Sequence, residues 1–146
     1  MKVKVEGLDR LLKKLDKLGG SIEQSTQKAL LKGGAMFESD AKERCPVDTG
    51  ELRESIHTEA KDAQTVTVGT SCEHGVYVEY GTGPKGDPSV PHTTKESWRY
   101  KDKDGSWHTS HGQPPQPFMR TAFAENKGKV VDAVKESIRE DVKNLE

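Results

Sequence analysis

No stretch of the sequence approaches the roughly 18 consecutive apolar residues that a membrane-spanning helix takes, and the opening MKVKVEGLDR lacks the apolar segment of a secretory signal. Both absences argue against a membrane role and predict a protein made in the cytosol. Cysteine is nearly missing as well. Cys45 and Cys72 are the whole complement, too few for a disulfide framework, and a cytosolic site keeps them reduced. Nor does one sign of charge dominate: 23 Lys and Arg stand against 24 Asp and Glu for a net charge of -1. The basic residues are spread along the chain, which leaves no global footprint for nucleic acid or anionic lipid. Apolar residues supply 31% of the 146 positions and charged residues 32%. A single domain over 1–146 has a core at this length, but a thin one, with much polar surface left for solvent or partners.

What is present is ordered by period. Val3 and Val5 alternate with lysines in a short strand-like start, and Leu8, Leu11, Leu12, Leu15 and Leu18 then share one helical face. Gly19-Gly20 ends that helix, and Ser21 with Gln24 reads as a capping box opening a second one. Its apolar positions Ile22, Ala29, Leu30, Phe37 and Ala41 run to about Arg44, where Cys45-Pro46 stops it. Ser55 to Ala60 and Thr65 to Gly69 alternate and are β-branched, predicting a hairpin, and Val76 to Tyr80 reads as a third strand broken by Gly81-Thr82-Gly83-Pro84. From Pro84 to Gln113 no apolar period remains. Inside this insertion Trp98-Arg99-Tyr100 and Trp107-His108-Thr109 flank Asp104-Gly105, a dipeptide suited to a type I′ turn, so a protruding hairpin is expected. Pro114, Pro115 and Pro117 lead into a last helix with the stripe Ala122, Phe123, Val130, Val134, Ile138 and Leu145. The predicted class is α+β: a small, mainly antiparallel sheet packed by N-terminal helices and a long C-terminal helix, with the loop insertion at 84–113.

Four segments carry a resemblance. Ala41 to Ile56 reads AKERCPVDTGELRESI; Val66-Thr67-Val68-Gly69-Thr70 follows; then come Tyr77-Val78-Glu79-Tyr80-Gly81-Thr82 and, after the insertion, Pro115-Gln116-Pro117-Phe118-Met119-Arg120. In this order they resemble the small head-tail joining, tail-completion or neck proteins of long-tailed bacteriophages and prophages. Two departures stand out: Thr121 occupies a place where that family often has another proline, and the 84–113 segment is longer and more polar. The resemblance implies a structural subunit of a ring at the head-proximal end of the tail, close to tail-terminator proteins in role. It implies contacts with itself, with connector or head-closure proteins and with tail-tube proteins, assembly in the host cytoplasm, a place in the virion at the head-tail junction, and no catalytic residue, metal or cofactor.

The same residues have a local physical reading. Pro46 ends a helix, Asp48 and Thr49 can accept hydrogen bonds from the amides that follow, and Gly50 can take a positive φ, so the chain turns from helix to sheet within a few residues. Leu52 and Ile56 are expected to bury, leaving Arg53 and Glu54 for a neighbour. Pro46, Asp48, Thr49, Gly50 and Leu52 form this structural corner, and a purely folding role is at least as good a reading as an interface. Tyr77, Glu79 and Tyr80 are candidates for a strand edge that pairs with a second subunit. Trp98, Tyr100 and Trp107 are interface candidates on the hairpin, and Phe118 and Met119 are core anchors of the last helix.

Other functions rank lower. A cysteine-dependent hydrolase would need Cys45 or Cys72 with one of His57, His74, His92, His108 or His111, and no elbow, phosphate loop or zinc-protease motif accompanies them. Cys72 with His74, and His108 with His111, have the residue types of zinc ligands, but such pairs arise readily by chance on polar loops. A DNA-contacting neck protein is the remaining alternative. Lys95, Arg99, Lys101 and Lys103 interleave with Trp98, Tyr100 and Trp107, but Glu96, Asp102 and Asp104 lie among them.

Overall fold

The computed structural model describes residues 2–4 and 21–144, and everything below concerns these. The helix expected from Leu8 to Leu18, and Leu145 of the last apolar stripe, lie outside the described residues. Strand β1 (Lys2–Lys4) is followed by helix α1 (Ser21–Arg44), a short helix α2 (Glu51–Ser55), strands β2 (Ile56–Asp62) and β3 (Thr65–Thr70), helix α3 (Gly75–Tyr80), the hairpin strands β4 (Trp98–Lys101) and β5 (Trp107–Ser110), and helix α4 (Phe118–Lys143). The class is α+β, as expected.

The main sheet has the order β1-β3-β2, antiparallel throughout, with Val3 opposite Val68 and Thr58 opposite Val68 from the other side. Helix α1 packs along α4 and onto one sheet face. Two adjacent glycines permit this double contact: a Cβ on Gly33 would stand 2.8 Å from Val130 Cγ1, and one on Gly34 would stand 2.5 Å from Thr58 Cγ2. Gly33 therefore seats α4 and Gly34 seats the sheet. Phe37 stacks on Phe123 at 5.4 Å between ring centroids, and Leu30, Ala41, Ile56, Val66, Val68, Ala122, Val130, Val134 and Ile138 complete a thin apolar core. Among the described residues no helix is long and apolar enough to cross a membrane.

Two local expectations are corrected. Val76 to Tyr80 is not a third strand but lies in α3, and the third strand of the sheet is β1. The hairpin turn at Asp104-Gly105 is not type I′, which needs positive φ at both central residues. Gly105 alone has it, at 84°, and the bonds Gly105 N to Asp102 O (3.1 Å) and Asp102 N to Ser106 O (2.9 Å) close a three-residue connection instead.

Candidate functional site

The corner after α1 is built from its own backbone. Cys45 N donates to Ala41 O, and burial pushes the Cys45 thiol up from its ordinary value. Thr49 Oγ1 accepts the Glu51 amide at 3.3 Å, Gly50 adopts φ 87°, and Gly50 O accepts the Glu54 amide. Asp48 is exposed and has no such bond among the described residues, whereas Leu52 is buried and Pro46 half-buried. Ser55 Oγ donates to Leu52 O and also meets Thr70 Oγ1, tying the corner to β3. Arg53 and Glu54 point to solvent.

The second cluster differs most from expectation. Glu79, expected on an exposed strand edge, is fully buried at 0% exposure. Helix α4 begins after Pro117, whose side chain can offer no cap, and Glu79 fills that need from 40 positions away: Met119 N donates to Oε2 at 2.9 Å and Arg120 N to Oε1 at 3.0 Å. A carboxylate at a helix N-terminus is also favoured by the helix dipole. Arg120 Nε donates to Oε1 at 2.9 Å, its Nη1 reaches Asp87 at 3.0 Å, and its guanidinium lies 4.3 Å from the centre of the Tyr80 ring. Hydrogen bonds from the Ser89 hydroxyl and amide, followed by that from Arg120, hold the Asp87 carboxyl down to about 2.

Short α3 persists because distant groups satisfy its C-terminal carbonyls. Gln113 Nε2 donates to Tyr77 O, Gln116 N to Val78 O, Arg120 Nη2 to Glu79 O and Asp87 N to Tyr80 O. Tyr77 itself is 56% exposed and Tyr80 half-buried, while Phe118 and Met119 lie in the core beside the clamp. Arg120, Asp87, Gln113 and Gln116 were not among the sequence candidates. The signal for them was an acid in the middle of the apolar run from Val76 to Tyr80.

On the hairpin, the register pairs Lys101 with Trp107, Arg99 with Thr109, Tyr100 with His108 and Trp98 with Ser110. Trp98 is half-buried, its ring against Gly83, which has φ 66°. Tyr100 and Trp107 are 47% and 59% exposed. Asp102 accepts the amides of Asp104 and Ser106 and meets His108 Nε2, and these contacts, His108 foremost, lower its carboxyl below the ordinary range. Lys103 at the tip bonds Glu51 at 2.9 Å, anchoring the hairpin beside the corner. A bridge between Thr82 and Gln113 closes the base of the whole insertion.

Cys72 Sγ approaches both ring nitrogens of His74, at 3.0 and 3.2 Å, but among the described residues no carboxylate hydrogen-bonds that ring. His108 is engaged by Asp102, and among the described residues no group of three or more His, Cys, Asp or Glu gathers in a metal-binding arrangement.

A comparison with protein families matches residues 9–81 to the one described as "Bacteriophage HK97-gp10, putative tail-component". That is half of the chain. The protein belongs to the HK97-gp10-like family. No curated protein and no solved structure matches it. The HK97-gp10-like segment includes the whole of α1, the corner, the β2–β3 hairpin and α3. It ends at Gly81, one residue past the helix that holds Glu79. In this HK97-gp10-like chain the carboxylate thus comes from the matched segment, and the helix N-terminus it caps comes from beyond it.

Proposed function

We propose that this phage tail component completes the tail and joins it to the head, as one subunit of a ring seated between connector or head-closure proteins and the tail tube. The observation that carries the reading is the HK97-gp10-like match over 9–81. The ordered motifs at the corner, at Tyr77–Thr82 and at Pro115–Arg120 support it further. The corner and the Glu79 clamp are fold devices in this reading, and the contacts are made by what those devices leave outside: Arg53 and Glu54 on α2, and the exposed Val47, Val76 and Tyr77. Scattered apolar residues of this kind suit a subunit that is monomeric or weakly associated when purified and closes into a ring on its partner.

Deleting the gene from its phage and imaging the lysate by electron microscopy tests the proposal. DNA-filled heads beside complete but unattached tails are expected. Joined virions from the deletion strain overturn it, and missing or empty heads would move the protein to an earlier step. Tyr77→Asp and Arg53→Glu, both at exposed positions, should give part of the deletion phenotype while purifying as folded protein. Light scattering on the isolated wild type should report a small species, and a stable ring at micromolar concentration would place the driving force for closure in the self-contact.

A further inference from the structure

In the sequence the cations of the hairpin are diluted by three acids, and the fold separates them. Side chains alternate across a two-stranded ladder. The register therefore puts Arg99, Lys101, Trp107 and Thr109 on one face and Trp98, Tyr100, His108 and Ser110 on the other. All four residues of the first face are exposed, while Trp98 and Ser110 are partly covered, so the first face is the outward one. Arg99 Cζ lies 5.2 Å and Lys101 Nζ 5.8 Å from the centre of the Trp107 ring. The acids are elsewhere. Asp102 is turned into its own loop and onto His108, Asp104 sits at the turn, and Glu96 precedes the ladder. Lys103 is held by Glu51.

We propose that the outward face of the β4–β5 hairpin, Arg99, Lys101 and Trp107, is a nucleic-acid contact without sequence preference: the two cations meet phosphates and the indole offers a stacking surface. Two cations over an aromatic ring that is still 59% exposed, with no acid among the ladder residues of this face, match the combination by which proteins hold a nucleic-acid strand. Arg and Trp are enriched at protein interfaces too, but lysine is depleted at their centres and the ladder residues of this face include no aliphatic side chain to anchor a protein, so a nucleic acid is the better fit. The hairpin lies beyond residues 9–81, so the inference does not depend on the tail-joining role. A single subunit has only two such cations, and affinity above the weak non-specific range, about 10⁻⁴ M, would come from repeating the face around an assembly.

The test titrates the full-length protein into a fluorescein-labelled oligothymidine strand, and into a duplex of equal length, at several salt concentrations. Binding is expected to weaken as salt rises, and Trp fluorescence should be quenched in the wild type but not through this site in Trp107→Phe. Arg99→Glu with Lys101→Glu should weaken binding at least tenfold and lower the magnitude of the salt slope by about 1.4 on the single strand and about 1.8 on the duplex, with an unchanged denaturation midpoint. Lys129→Glu with Lys135→Glu, exposed positions on α4, imposes the same charge change and should bind nearly as the wild type. No binding at low salt overturns the proposal. So does equal loss in both double variants, and labelled polyglutamate binding as tightly as the oligonucleotides would assign the face to an acidic protein instead.

Discussion

Arg120 holds Glu79 at both ends of the residue: its Nε donates to the side-chain carboxylate at 2.9 Å, and its Nη2 donates to the main-chain carbonyl at 3.2 Å. The same carboxylate accepts two amides of α4, so one buried side chain joins α3, the guanidinium and the start of the last helix. Removing it leaves two amides without their acceptor and takes from Arg120 the buried one of its two carboxylate partners, Asp87 remaining as the other. Glu79→Ala should cost about 3 kcal/mol, and Glu79→Gln less, since one amide oxygen still accepts. Glu79→Lys puts a second cation against Arg120 and should not fold to soluble protein. Urea denaturation checks the series, and a Glu79→Ala midpoint equal to that of the wild type would show the clamp to be dispensable.

The corner makes a different kind of demand. Among the described residues a Cβ on Gly50 would meet only Glu54 Oε1, at 3.8 Å, so space is not the constraint; φ of 87° is. Asn tolerates the left-handed region better than Ala, and a β-branched residue tolerates it least. The expected order of stability is therefore Gly, Asn, Ala, Val, with Gly50→Val losing about 2 kcal/mol or more. Thermal melts of the four proteins give the order directly. A Gly50→Val protein as stable as Gly50→Asn would mean that the corner relaxes out of its positive φ.

Much of this architecture was legible because its determinants are local. Cys45-Pro46 stops α1 where the rule for residues before proline says it should, and the β2–β3 hairpin shows its alternation over enough residues to be read. Val76 to Tyr80 is too short for period to separate helix from strand. What decides it comes from outside the segment: Asp87 nearby and Gln113, Gln116 and Arg120 from far along the chain, which cap the carbonyls of α3. The misplacement of Glu79 follows from that one misreading. At the hairpin, a count of charges sees Lys and Asp cancelling, whereas the register and the Asp102 contacts put them on different sides. The turn was misread for a smaller reason: Asp104-Gly105 permits type I′ but does not require it, and only Gly105 takes a positive φ.

Acid should weaken the insertion through Asp87. Its carboxyl is lowered from 3.8 to about 2 in the folded protein. A depressed carboxylate contributes stability that is fully present above the unfolded value and is lost as pH falls from there through the folded one. The effect therefore lies between about pH 4 and pH 2. Asp87→Asn should be less stable than the wild type at neutral pH, and the gap should close across that window. Denaturant midpoints of both proteins measured along the pH series test this, and a constant gap would remove Asp87 from the acid response.

Three helical glycines separate propensity from packing. Glycine inside a helix is less favourable than alanine by roughly 1 kcal/mol, so each replacement by alanine begins with that gain. At Gly128, on α4, a Cβ would meet nothing within 4 Å among the described residues, and Gly128→Ala should keep the whole increase. At Gly34 the new atom would stand 2.5 Å from Thr58 Cγ2 and 3.0 Å from Val66 Cγ1, in a strand pair that cannot retreat without moving the sheet. The cost of overpacking, about 1–3 kcal/mol, should then outweigh the gain. Gly33→Ala is intermediate, since its nearest neighbours are the methyls Val130 Cγ1 at 2.8 Å and Val134 Cγ2 at 3.2 Å on a helix that can shift. The midpoints should rank Gly128→Ala above the wild type and Gly34→Ala lowest. If Gly34→Ala instead gains as much as Gly128→Ala, α1 does not sit on the sheet as closely as its glycines imply.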